Sequence, residues 1–203
     1  MERINNLVHY IWVGNNPIPK DYINNFNVTR ESNKHYKFIL WRDSDVVSNI
    51  THIEKEYNKG SIFQKLQLAR YSVMNLYGGF YSDFDIVWKV GIDAVYSALP
   101  KNTELCFPKR NSLYFYDKGK KTTLVDDFVI VSKPGITGNF LDYCKKTAGT
   151  RDSFNPKTDP YSVYALTEWI LTQKSEFFTH EQIGMKHENP IFGVHDNNQT
   201  WSS

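Results

Sequence analysis

The sequence holds only two cysteines among 203 residues, Cys106 and Cys144, far apart in the chain. That excludes a disulfide framework and a cysteine-based zinc site, and it fits a reducing compartment. A dominant charge is missing too: 24 Lys and Arg stand against 22 Asp and Glu, a formal net charge of +2. So small an excess gives no argument for a nucleic-acid partner. No stretch approaches the roughly 20 apolar residues that a transmembrane segment needs. Residues 1–6 are polar, and the apolar run from Leu7 to Val13 is too short for a secretory leader. The expectation is a soluble cytoplasmic protein, in the host cytoplasm if the source is viral. Repeats, low-complexity tracts and linkers are absent as well. Residues 1–203 therefore read as one domain, large enough to bury a core unaided.

Aromatic side chains, by contrast, are abundant: 15% of the chain, with 13 Tyr and 13 Phe. Ring faces pack on the apolar faces of sugars, but an aromatic core is the plainer reading. Basic residues cluster at Lys109-Arg110, Lys118 with Lys120-Lys121, and Lys145-Lys146. These read as solvated faces, although the 109–121 stretch could also meet an anionic acceptor.

Strand and helix signals alternate. Leu7–Val13 reads as a buried strand closed by Gly14-Asn15-Asn16-Pro17, and a short helix follows from Pro19. Tyr36–Trp41 reads as a second strand. Ser61 and Gln64 form a capping box for the clearest helix, with Ile62, Leu66, Ala69, Val73 and Leu76 on its apolar stripe. Gly78-Gly79 stops it. Phe80-Tyr81-Ser82 then runs extended into Asp83-Phe84-Asp85. Further strands are expected at Leu105–Phe107 and Phe128–Val131, and at Pro190–Val194 near the end. Helices are expected at Gly138–Lys146 and Tyr161–Thr172. This alternation predicts an α/β three-layer domain, with ligands outside the carboxyl ends of the strands.

The string Asp-x-Asp occurs twice, and alone it means little in a chain this acidic. Asp43-Ser44-Asp45 reads as a loop or helix cap. Asp83-Phe84-Asp85 closes a strand, where residues i and i+2 of an extended backbone share a face. Two carboxylates so placed repel each other unless a cation or donors compensate. Oxygen ligands of this kind suit Mg²⁺ or Mn²⁺, which bridge phosphates and neutralise a leaving diphosphate. A pair of solvated turn aspartates is the alternative.

Around this string stand Tyr10-Ile11-Trp12-Val13-Gly14, Leu68-Ala69-Arg70-Tyr71, and Leu76-Tyr77-Gly78-Gly79-Phe80-Tyr81-Ser82-Asp83-Phe84-Asp85. Together they resemble the DXD sugar transferases of GT-A type. That superfamily includes the yeast-type α-1,6-mannosyltransferases and the catalytic domains of the large clostridial glucosylating toxins. The strong match covers residues 7–14 and 61–90, with a weaker echo at His195 and Trp201. The resemblance implies a GT-A, Rossmann-like three-layer fold. It also implies transfer of a sugar from a nucleoside diphosphate, UDP favoured and GDP second, to an acceptor hydroxyl with retention.

Carried over by residue, it implies the following. Trp12 stacks on the nucleobase, with a core indole as its alternative. Arg70 reaches the donor's phosphate or sugar, or else makes a structural salt bridge. Tyr81 lines the donor pocket. Asp83 contacts the ribose and, through water, the cation, Asp85 ligates the cation directly, and His195 adds a ligand that tilts preference toward Mn²⁺. Trp201 closes over the diphosphate.

Two departures bear on the sugar. Gln67 stands where the family commonly has an aspartate. Asp126 and Asp127 stand where it tends to have an asparagine, and either one faces the sugar, acts as base in an inverting reaction, or is merely solvated. A partner domain or protein for acceptor recognition remains an expectation. Two rival readings stay open: a metal-dependent phosphohydrolase of nucleotide diphosphates, and a non-catalytic protein that binds carbohydrate or nucleotide sugar.

Overall fold

The computed structural model describes residues 4–50, 53–117, 120–147, 162–173, 175–178, 182–185 and 189–195. At its centre, strand β1 (Leu7–Ile11) pairs in parallel with β2 (Lys37–Trp41) and with β3 (Gly79–Ser82). Beyond β3 the sheet turns antiparallel. There β7 (Val129–Ser132) pairs with β3 and with β5 (Leu105–Asp117), whose hairpin partner is β6 (Lys120–Val125). A short strand, β8 (Glu176–Phe178), adds to β5 in parallel. A separate three-stranded sheet sets β10 (Gly193–His195) between β4 (Ile86–Trp88) and β9 (Ile183–Met185).

Side-chain alternation divides the interior into two apolar clusters, one on each face of the large sheet. Val8 and Tyr10 of β1, Phe80 of β3, and Val129 and Val131 of β7 join one cluster. It is covered by α1 (Lys20–Ser32) and α5 (Ile92–Ser97), through Tyr22, Phe26, Ile92 and Val95. Ile11, Tyr81 and Ile130 join the other. Its cover is α2 (Asp43–Asn49), α3 (Glu54–Lys59), α4 (Ile62–Tyr77), α6 (Gly138–Thr147) and α7 (Val163–Ile170). The expected three-layer α/β arrangement is present.

Helix α4 is the pivot. Its capping box forms as the sequence predicts: Ser61 Oγ accepts from the Gln64 N–H, and Gln64 Oε1 accepts from the Ser61 N–H. Ala69 and Val73 are fully buried, while Ile62 and Leu76 at its two ends are 42% and 43% exposed. Every residue from Gln67 to Met74 is buried, because the helix runs between α3, α6 and the sheet. A helix covered on all sides traps whatever polar groups it carries. Gly79 then brings the chain back against β1 with φ +100°, and a Cβ there would lie 2.5 Å from the Leu7 carbonyl oxygen. Only glycine fits.

Several boundaries differ from expectation. The helix after Pro19 is 13 residues long. Strand β1 ends at Ile11, so Trp12 lies just past it and holds on through its N–H to the Trp41 carbonyl, 3.0 Å away. The expected strand Leu105–Phe107 continues to Asp117, so 109–117 and 120–121 lie on two paired strands. The terminal strand sits at Gly193–His195, which puts His195 inside it. Among the described residues, no helix is long and apolar enough to cross a membrane.

Candidate functional site

The Asp-Phe-Asp segment corrects the extended reading. Strand β3 stops at Ser82, and Asp83–Asp85 form a turn closed by the Ile86 N–H on the Asp83 carbonyl. A second bond ties the turn to the sheet, since the Asp83 N–H donates to the Phe128 carbonyl at 2.8 Å. Phe84 is 4% exposed and packs among Tyr10, Trp12 and Phe26. The apolar ring is drawn inward, so turn geometry rather than strand alternation leaves the two carboxylates together.

Strand β10 supplies the third member. Its antiparallel register sets His195 opposite Ile86, directly after the turn. His195 Nε2 lies 3.2 Å from Asp85 Oδ2, and its ring stacks on Phe128 at 4.4 Å. Asp83, Asp85 and His195 each offer one ligand atom, and these atoms lie within 4.8 Å of one another. Two carboxylates and an imidazole fit a divalent ion. Buried His195 Nδ1 has no partner among the described residues.

Behind the turn lies a buried ion-pair frame. Arg70, 3% exposed on α4, directs Nη2 to Asp83 Oδ1 at 2.9 Å and Nη1 to Asp127 Oδ1 at 2.6 Å. Nη1 also donates to Gln67 Oε1 at 3.0 Å, and the guanidinium lies over the Tyr81 ring. Tyr81 OH donates to Asp83 Oδ1, and Tyr71 OH donates to Asp127 Oδ2 at 2.7 Å. Asp126 accepts the Arg110 Nε–H on one oxygen and the Asp127 N–H on the other, 3.0 Å away. Arg110 reaches it from an irregularity in β5, where the register with β6 slips between Lys109 and Tyr114. Such bulges redirect side chains.

The charges are unbalanced. Among the described residues, four carboxylates (Asp83, Asp85, Asp126, Asp127) against two guanidiniums (Arg70, Arg110) sum to a formal −2 when His195 is neutral. Burial, opposed by Arg70 and reinforced by the charge of Asp85, raises the Asp83 carboxyl to about 6. Burial would lower the His195 pKa, but the hydrogen bond and charge of Asp85, with Asp83 and Asp126 behind it, raise it overall. A divalent cation among these groups would cancel that −2.

The structure thus brings Arg70, Tyr81, Gln67, Asp83, Asp85, Asp126, Asp127 and His195 into one connected cluster. Trp12 stands beyond Phe84, half-buried, with its Nε1–H on the Asn16 carbonyl at 2.7 Å. Trp201 lies outside the described residues. Sequence reasoning missed Tyr71 and Arg110. Tyr71 directly follows Arg70, and only helix burial shows that its hydroxyl has an acidic partner. Arg110 was hidden in a basic cluster with a plainer reading.

The profile described as "Glycosyltransferase sugar-binding region containing DXD motif" matches residues 19–102. That segment is similar to the family's sugar-binding region. It contains Gln67, Arg70, Tyr81 and the two turn aspartates, but not Trp12, Asp126, Asp127 or His195. Inositol phosphoceramide mannosyltransferase 1 of Schizosaccharomyces pombe is 31% identical over 105 residues, covering 48% of this chain and 33% of that protein. The chain thus spans about a third of that relative's length. Among solved structures, the PaToxG glycosyltransferase superposes with a TM-score of 0.54 at 17% identity, over 83% of this chain and 69% of that one. The catalytic domain of alpha-toxin from Clostridium novyi gives 0.46 at 12% identity, over 84% and 64%. The fold is the GT-A type that the sequence leads one to expect.

Proposed function

We propose that this chain transfers a sugar from a nucleoside diphosphate sugar to an acceptor hydroxyl, with a divalent cation held by Asp83, Asp85 and His195. The observation that carries the reading is the convergence of these three residues, from a turn inside the DXD sugar-binding region and a strand far along the sequence, on one negatively charged centre. When bound, the cation would supply charge stabilisation for a departing diphosphate. Mn²⁺ is favoured over Mg²⁺ because an imidazole joins the carboxylates. A UDP-linked donor is favoured, with the partly exposed face of Trp12 as the surface for its base.

The burial of Asp126 and Asp127 favours retention. Each carboxylate is 5% exposed or less and is oriented by a bond on each oxygen, so each serves the buried frame. Burial, more than the bond count, argues against either as a base on an acceptor or a nucleophile on a sugar. Front-face attack, in which the leaving phosphate takes the acceptor's proton, needs no such group. Catalysis then rests on positioning and on electrostatics.

The test is release of nucleoside diphosphate from UDP-glucose, UDP-galactose, UDP-N-acetylglucosamine and GDP-mannose, with and without Mn²⁺. Mn²⁺-dependent release from one or two donors, lost in Asp85→Asn, is the expected result. Equal release from sugar-free nucleoside triphosphates would assign the centre to a hydrolase. Binding without turnover would assign it to a non-catalytic receptor.

A further inference from the structure

We infer that Arg70 is a positioning residue for the cation centre, acting with Tyr81 and Tyr71 to commit one oxygen of Asp83 and leave the other for the ion. This rests on the cation reading above. It departs from a donor-contacting role for Arg70.

Asp83 Oδ1 accepts from both Arg70 Nη2 and Tyr81 OH. A carboxylate oxygen has two lone-pair directions, so Oδ1 is saturated and Oδ2 is the oxygen left to a ligand. Turning the carboxylate out of this orientation would break both bonds in a buried setting, which is costly. Arg70 cannot follow such a rotation. Its other terminal nitrogen is held by Asp127 at 2.6 Å and Gln67 at 3.0 Å, and the face of Tyr81 lies 4.8 Å below its guanidinium carbon. Asp127 is held in turn by Tyr71 OH at 2.7 Å.

A hydrogen-bonded strut therefore runs Tyr71–Asp127–Arg70–Asp83–Tyr81, from the buried helix α4 to the turn. The guanidinium suits this work because it is planar and forked, and so fixes two carboxylates at a set separation. A lysine ammonium is a single point charge on a flexible stem and cannot bridge them in the same way. Nη1 is fully used by Asp127 and Gln67, Nη2 gives one N–H to Asp83, and the residue is 3% exposed. Burial therefore keeps a donor phosphate away from a guanidinium whose work is to hold two carboxylates.

The experiment titrates Mn²⁺ alone, without nucleotide, into wild type, Arg70→Lys, Tyr81→Phe and Tyr71→Phe, by calorimetry or by the Mn²⁺ paramagnetic resonance signal. UDP affinity at saturating Mn²⁺ and thermal melting are recorded for each. Groups that orient ligands typically cost ~10–100-fold in metal affinity when lost. Arg70→Lys is expected toward the top of that range and Tyr81→Phe near the bottom. Tyr71→Phe, two bonds removed, should show less than either.

Tyr81→Phe keeps the ring under the guanidinium, and it decides the matter if Arg70→Lys does not fold. Unchanged Mn²⁺ affinity with weakened UDP binding would overturn the inference in favour of direct donor contact. A lower melting temperature with unchanged Mn²⁺ affinity would overturn it in favour of a purely structural ion pair. Wild type failing to bind Mn²⁺ would overturn the cation reading itself, a result distinct from either.

Discussion

The chain contains the same three-residue string twice, and the two copies have opposite fates. At Asp43-Ser44-Asp45 the carboxylates are absorbed by backbone and neighbours. Asp43 accepts from the Gly14 N–H at 2.6 Å and from Tyr57 OH at 2.8 Å, and Asp45 accepts from the Arg42 N–H at 2.9 Å, capping α2. At Asp83-Phe84-Asp85 the carboxylates lie beside each other and His195, and Arg70 pairs with Asp83. Spacing is identical and chemistry is not. The difference is what surrounds the carboxylates: backbone donors and a tyrosine hydroxyl at the first copy, a second carboxylate and an imidazole at the other.

The histidines repeat the lesson. His9 is fully buried with both nitrogens used, Nδ1 accepting from Trp41 Nε1–H at 3.1 Å and Nε2–H donating to the Gly78 carbonyl at 2.9 Å. His195 uses one nitrogen toward Asp85, and the other has no hydrogen-bond partner among the described residues.

The comparison breaks if equivalent substitutions behave alike. The largest effect should come from Asp85→Asn, with Mn²⁺-dependent nucleoside diphosphate release falling by ~10³-fold, several kcal/mol of barrier. Asp43→Asn should leave that rate within a factor of about two. Next is Gly79→Ala, which puts a Cβ on the Leu7 carbonyl at positive φ and should cost about 3–4 kcal/mol in denaturant unfolding.

Acid should cost nearly as much through His9, whose pKa burial lowers to about 4 from 6.5, partly offset by the Gly78 hydrogen bond. The unfolded chain binds that proton more readily, so the stability is complete above pH 6.5 and falls by about 3 kcal/mol on descending to pH 4. His9→Gln, which keeps one donor and one acceptor, should flatten that part of the pH profile. The smallest effect is that of Asp43→Asn on stability, about 1–2 kcal/mol, from weakened charge-assisted bonds at Gly14 and Tyr57.

Much of this was legible before any coordinates. The capping box at Ser61, the double glycine and the strand before Asp83 are local signals, and each sits near where its pattern puts it; His195 was pointed to by the resemblance alone. The turn at Asp83–Asp85 was not legible. Whether a short segment stays extended or folds back depends on Phe84 finding the cluster around Tyr10 and on the Asp83 N–H finding Phe128, both distant in sequence. The pairing of Arg110 with Asp126 depends on a register slip in a hairpin, which no residue pattern announces. Asp126 and Asp127 looked like solvated or catalytic carboxylates for the same reason: their partners come from α4 and β5.

The central claim is that the second copy of the string, and not the first, holds a catalytic cation. Side-by-side measurement of sugar-nucleotide turnover against Mn²⁺ concentration in wild type, Asp85→Asn and Asp43→Asn tests it most directly. The account predicts saturable Mn²⁺ dependence in wild type and Asp43→Asn, and none in Asp85→Asn. Turnover in Asp85→Asn at the wild-type rate and with the same Mn²⁺ dependence would contradict it.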